Sequence, residues 1–281
     1  MLRERKETVP PAGKPAAPGA RPMVEETDIE MEALQLAAQM IMENGGETFR
    51  AEETVRRMGQ GFGLRQVESF AVPSGLFISY RTAEGKLETS IKRVHHRSTN
   101  LTTVDAVNQI SRETAAGTLR PEKALSRLQG VSALRERGRG PMPMGAAALC
   151  AGGFAFLFQG GWREALLSAA IAALVQGVSL LLTMIGDPGI ATNILGGLLT
   201  AMLPSLVAGW IPGLLTEAVV AGALMPLVPG LAMTNAVQDT LRGDMVSGLS
   251  HGASALLTAC LIAGGALLAP PLLRLMSGGG L

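Results

Sequence analysis

Apolar and polar positions change rhythm three times along this chain. From Ile29, apolar residues recur at helical spacing through Ala33, Leu36, Ala37, Met40 and Ile41, and Asn44-Gly45-Gly46 marks a helix end. A second helix is predicted from about Thr48 to Met58, with Gly61-Phe62-Gly63 as its exit turn. The period then shortens. Val67–Ala71, Gly75–Tyr80 and Lys86–Val94 are rich in β-branched or aromatic residues, with Pro73-Ser74 and Ala83-Glu84-Gly85 between them. That is the pattern of a three-stranded meander. Val104, Val107, Ile110 and Ala115 restore helical spacing over 101–116. Pro121, whose missing N–H costs nothing at a helix start, leads into another helix over 122–129.

After Pro141 the polar stripe disappears. The only charged side chains beyond it are Arg163, Glu164, Asp187, Glu217, Asp239, Arg242, Asp244 and Arg274. They leave uncharged windows over 140–162, 165–186, 188–216, 218–238 and 245–273. Each meets the length of about 20 residues that crosses a hydrocarbon core roughly 30 Å thick. A soluble helix would keep one polar face, and ALLSAAIAALVQGVSLLLTMIG (165–186) has none. The expected fold is a polytopic α-helical membrane protein with an N-terminal soluble α+β domain. Five transmembrane helices are predicted over about 142–159, 164–185, 190–209, 213–229 and 247–269, the fourth broken by proline and glycine. The soluble domain is expected over 28–140 and the membrane domain over 141–281. Residues 1–27 are charged and Pro/Ala/Gly-rich, without the apolar core of a secretory signal, and are expected to be a disordered tail.

Net charge adds little, because 24 basic and 23 acidic residues nearly cancel; their placement adds more. Arg135, Arg137 and Arg139 precede the first window, which argues for a cytoplasmic soluble domain. Five spans then put the C-terminus outside. Trp162 and Trp210 sit at window edges, where interfacial aromatics belong. Cys150 and Cys260 lie in apolar windows as packing residues, with no disulfide framework or metal-ligand spacing. His95 and His96 would point to opposite sides of a strand, so joint metal binding is not expected. No cofactor-binding, phosphate-loop or nucleic-acid pattern is present.

The stretch LMPLVPGLAMTNAVQDTLRGD (224–244) interrupts the fourth window. A straight helix from Gly213 to Arg242 would be roughly 45 Å long, more than the hydrocarbon core accepts. Pro226 and Pro229, followed by Gly230, remove helix donors and should open the backbone there. A new helix over 231–241 would begin with free N–H groups, a seat for a carboxylate. Asn235 and Asp239 share a face, Arg242 follows three residues on, and Thr234 and Gln238 form the adjacent stripe. Such a surface suits a small zwitterion. A cytoplasmic turn followed by an interfacial helix would read the same way.

Glu217 is the one charge in the interior of a predicted span, with Thr216 beside it, and proton coupling is expected of it. Its place one turn after Pro212-Gly213 equally allows it to reach the outer interface. Asp187 is expected to be a turn residue. Gly248 and Gly252 are expected at a close helix contact, and Gly196-Gly197 are expected to interrupt the third span.

MENGGETFRAEETVRRM (42–58) resembles the start of the soluble domain of the threonine/serine exporter family. PLVPGLAMTNAVQDTLRGDMVSG (226–248) is similar to that family's Pro-Gly…Asn-Ala…Asp…Gly-Asp…Ser-Gly signature, and the order of parts agrees. The likeness runs from about Ile29 to the end. Fused members carry a further membrane half of about five spans, so the chain resembles the split type, whose larger subunit works with a separate small membrane protein. The resemblance implies a proton-driven secondary exporter of threonine and serine in the bacterial inner membrane, within a hetero- or homo-oligomer. Split-type relatives are associated instead with succinate export. By motif position, Pro229, Gly230, Asn235, Asp239, Gly243 and Asp244 are the first expected site residues, with Thr234, Gln238 and Arg242 beside them. Pro226, Pro229, Gly230 and Gly243 are the expected structural breaks. Members have also been discussed as hydrolase-like, which would involve Gly45, Gly46, Glu47 and Thr48 with Arg50, Glu52 and Glu53. Glu47 and Thr48 read more economically as the start of a helix, and no nucleophile elbow accompanies them, so no enzyme is expected. A regulatory scaffold subunit is the third reading.

Overall fold

The computed structural model describes residues 29–95, 98–135, 142–187 and 189–276. The expectations for the 1–27 tail, His96, Arg137 and Arg139 lie outside the described residues.

The first part is an α+β unit. Helices α1 (Ile29–Glu43) and α2 (Thr48–Gly61) precede strands β1 (Arg65–Val72), β2 (Gly75–Arg81) and β3 (Leu87–Arg93). Helices α3 (Leu101–Ala115) and α4 (Pro121–Arg135) follow. The sheet is an antiparallel meander in the order β1-β2-β3. Alternation places Leu76, Ile78 and Tyr80 of β2 on the buried face. They share a core with Leu34 and Ile41 of α1, Val55 and Met58 of α2, Val107 and Ile110 of α3, and Leu128 of α4. The other face carries a cross-strand row of Phe70, Phe77 and Ile91, all exposed.

The second part is helical: α5 (Met142–Leu157), α6 (Trp162–Met184), α7 (Ile190–Ala208), α8 (Thr216–Leu224), α9 (Gly230–Leu241), α10 (Met245–Leu267) and α11 (Ala269–Met276). One 3₁₀ turn, Met225–Leu227, joins α8 to the break before α9. By length and composition, three described segments suffice to cross a membrane: α6, α7 and Met245–Met276. A fourth is present if the bent pair of α8 with its 3₁₀ turn and α9 counts as one span; the bend is 59°. The predicted count of five is not confirmed among the described residues, where α5 has only 16 residues.

Glycine sets how closely these helices meet. A Cβ on Gly197 of α7 would lie 2.0 Å from the Ile262 carbonyl oxygen of α10. A Cβ on Gly265 of α10 would lie 2.0 Å from that of Ile194. The two helices therefore touch backbone to backbone, the close approach that small residues permit in lipid. Gly196-Gly197 do not interrupt α7, contrary to expectation: the helix is continuous and the glycines are its contact surface. Gly248 of α10 meets Ala236 and Thr240 of α9, and Gly252 faces Ala236. Glu164 ties two loops together, accepting from the Gly161 amide at 2.8 Å and the Leu215 amide at 3.2 Å. Asp187 caps α7 by accepting from the Thr192 amide and hydroxyl at 2.9 and 2.8 Å, so it is a turn residue.

Candidate functional site

The two stretches that carry the sequence motifs meet in space. The first is the corner between α1 and α2. Gly45 has φ +88°, a left-handed conformation, and a Cβ there would stand 2.6 Å from Leu231 Cδ2 of α9. At Gly46 a Cβ would strike the Ile41 side chain at 2.4 Å. Asn44, fully buried, donates to the Met40 carbonyl at 2.6 Å, and its own carbonyl accepts from the Asn100 amide at 3.1 Å. Ser98 also returns to this turn, its amide donating to the Glu43 carbonyl at 2.7 Å. The corner is held rigidly and brought bare against α9.

The second stretch is α9 itself. Pro226 sits in the 3₁₀ turn and Pro229 at the N-cap, and no side chain caps the helix. Its end closes around Gly243 (φ +93°), where the Asp244 amide donates to the Asp239 carbonyl at 2.9 Å and the Gly243 amide to that of Thr240 at 3.1 Å. That is a Schellman ending, which needs a residue comfortable at positive φ. Asn235 and Asp239 are buried on one face. Asn235 Nδ2 donates to the Gly45 carbonyl at 3.2 Å. Thr48 Oγ1 donates to Asp239 Oδ2 at 3.2 Å, and His251 Nδ1 of α10 lies 2.9 Å from the same oxygen. Among the described residues, the buried Asp239 Oδ1 has no hydrogen-bond partner. A buried, half-satisfied carboxylate is costly and calls for an explanation. The Arg242 guanidinium stacks on Phe49 with Cζ 3.2 Å from the ring centroid. Ser247 Oγ reaches the Ala71 carbonyl at 3.5 Å, at the edge of hydrogen-bonding range.

Cavities flank this contact. One, of about 220 Å³, is lined by Gly45, Gly46, Leu231, Asn235, His251 and Ser254 among others. A neighbour of about 260 Å³ shares Gly45, Gly46, Leu231 and Asn235 and adds Glu47, Arg50, Asp105 and Asn108. A third, of about 740 Å³, lies by the far end of α9 between Glu52, Arg56, Glu68, Arg242 and Asp244. Burial pushes the Glu52 carboxyl up from its ordinary range, and the Asp244 and Asp239 carboxylates add to this. The Ala71 amide, donating to Glu52 Oε1 at 2.7 Å, and Arg56 pull the other way.

Several expected residues are thus brought together: Gly45, Gly46, Glu47, Thr48, Glu52, Asn235, Asp239, Arg242 and Asp244. Others are placed elsewhere. Thr234 is exposed, its hydroxyl returned to the Gly230 carbonyl at 2.9 Å. Gln238 lines none of the three cavities, and neither do Pro229 and Gly230. Glu53 pairs with Arg57 on the outside of α2 at 2.5 Å. Glu217 is exposed in the first turn of α8, away from the cavity linings. His251, Ser254, Ser98, Asp105, Asn108 and Phe49 were not anticipated. His251 left a readable sign: it is the sole ionisable group besides Cys260 in the 245–273 window.

The chain is 25% identical over 236 residues to the "Probable threonine/serine exporter" of Mycobacterium tuberculosis, covering 81% of this chain and 43% of that protein. It is 25% identical over 225 residues to the "Probable succinate transporter subunit YjjP" of Escherichia coli, with 76% and 83% covered. The protein of the same name from Klebsiella aerogenes is 26% identical over 226 residues. No solved structure matches. The family model described as "Putative threonine/serine exporter" matches residues 32–272, from α1 into α11. With both motif stretches inside that match and packed on each other, the chain belongs to the threonine/serine exporter family.

Proposed function

We propose that this chain is a subunit of a proton-coupled secondary exporter of small polar metabolites, threonine or serine first, working with a separate small membrane subunit in the bacterial inner membrane. The cytoplasmic domain docks through the Gly45–Thr48 corner onto α9, and the solute binds beside that contact. The supporting observation is the joint site: Asn235 reaches Gly45, and Thr48 reaches Asp239, across 190 and 191 residues of sequence. The unpartnered Asp239 Oδ1, on the same buried face as Asn235, suits the ammonium group of such a solute. Arg242 and Asp244 line the third cavity. The names of the E. coli and K. aerogenes relatives favour a subunit and make succinate the second solute to test.

A hydrolase reading is not supported by the geometry. Thr48, His251 and Asp239 are residue types of a nucleophile–base–acid set, but the Thr48 hydroxyl donates to Asp239 rather than to the imidazole. The base is therefore not placed to take its proton.

Reconstitution into proteoliposomes tests the proposal, with counterflow of labelled serine, threonine and succinate measured for this chain with and without the small subunit. Counterflow of at least one solute is expected from the pair. Asp239→Ala should lower it about tenfold or more, the scale of one lost charge-assisted hydrogen bond. Absence of exchange for all three solutes by the assembled pair would contradict the proposal.

A further inference from the structure

We infer that His251 is the proton-carrying residue of this transporter, and that its protonation releases the cytoplasmic corner from α9. This rests on the export reading above and assigns the proton step to a named pair rather than to Glu217. Among the described residues, His251 is the one ionisable side chain lining the cavity at the start of α9, and its side chain is 15% exposed against 0% for Asp239. An ionised carboxylate only accepts hydrogen bonds, so the imidazole proton sits on Nδ1, facing Asp239 Oδ2. The remaining ring nitrogen, Nε2, is then the acceptor for a proton arriving through the cavity.

With the imidazole neutral, Asp239 carries a buried negative charge held by two donors on one oxygen, Thr48 and His251. One proton on Nε2 turns the His251–Asp239 contact into an ion pair within the helical part. Asp239 is then compensated from α10 alone, and the neutral donor on α2 becomes dispensable. The other charged groups near the pair come from several elements. Asp239 and Arg242 come from α9, with the guanidinium already stacked on Phe49. Asp244 begins α10, Glu52 faces from α2, and Glu47 is neutralised by Arg50 at 2.6 Å. Asp105 of α3 lines the adjoining cavity. Helix α7, packed along α10, has no ionisable side chain, and Arg274 lies beyond the other end of α10. Of these groups, the Asp239 carboxylate is the one in contact with the His251 ring.

The step balances as a one-for-one exchange. A proton taken from outside protonates Nε2 and frees the corner; the cytosol takes that proton back as the outgoing solute enters. Solute then occupies Asp239 Oδ1 while the corner closes on Oδ2.

The test uses the full-length protein with Cys150 and Cys260 replaced by serine and a reporter at Ala232→Cys, in the lining of the same cavity. Maleimide labelling is followed between about pH 5 and 8, the range in which histidine titrates, and normalised to the free thiol reagent rate. A several-fold rise in normalised labelling is expected as pH falls, and His251→Gln should hold one value throughout. Glu217→Gln should retain the pH dependence. Asp239→Asn, which keeps a partner for Thr48, should lose it, and serves if the histidine variant fails to fold. Matching pH profiles for the parent and both site variants would overturn the inference, as would a flat profile in Glu217→Gln alone. Labelling needs no solute movement, so its failure is distinguishable from failure of counterflow.

Discussion

One carboxylate oxygen, Asp239 Oδ2, receives hydrogen bonds from two segments far apart in the chain, and its sister Oδ1 receives none. Asp239 and Asn235 were legible as one helical face, because positions four apart coincide. His251 was not, because the apolar windows were drawn by charge and a neutral imidazole left the last one intact. An ionisable residue of any kind inside a span is the better signal. Glu52 provides a prediction at this scale. Burial raises its carboxyl above the ordinary 4.5, so the stability tied to its protonated form is present below 4.5 and lost as pH rises through the raised value. Glu52→Gln, which can still accept from the Ala71 amide, should raise the unfolding temperature of the full chain at pH 7. The gain should vanish below about pH 4.5. An equal gain at both pH values would mean that ionisation is not the cause.

Among the elements, the break before α9 was the most readable feature, since Pro226 and Pro229 cannot continue a helix. The meander was readable too, from its alternation and turns. The glycine pairs were misread at Gly196-Gly197, because glycine weakens a helix in water yet serves as a contact surface where another backbone presses against it. Only the three-dimensional partner, the Ile262 carbonyl, distinguishes the two roles. Gly197→Ala should destabilise the α7–α10 pair by about 1–3 kcal/mol, the usual range for overpacking. Gly264→Ala, with open space around it, should be neutral. Thermal unfolding in detergent separates them, and equal midpoints would refute backbone contact as the reason for Gly197.

Across the whole molecule, nothing in local periodicity could place residues 45–48 against 235–239. Each motif was visible; their contact was not, because it is made by a rigid corner of one domain and the restarted helix of another. The division into an α+β part and a run of apolar helices followed from charge placement. The number of spans did not, since α5 is short and the bent segment is divided. A site built from two distant parts of the chain opens and closes only if those parts move relative to each other, which is what alternating exposure of the proposed solute requires.

The direct test is solute protection at the contact, using Ala232→Cys in the assembled transporter lacking Cys150 and Cys260. Serine, threonine or succinate, whichever the complex exchanges, should slow maleimide labelling in proportion to site occupancy. Labelling indifferent to that solute at concentrations that saturate transport would contradict a solute site between the Gly45–Thr48 corner and α9.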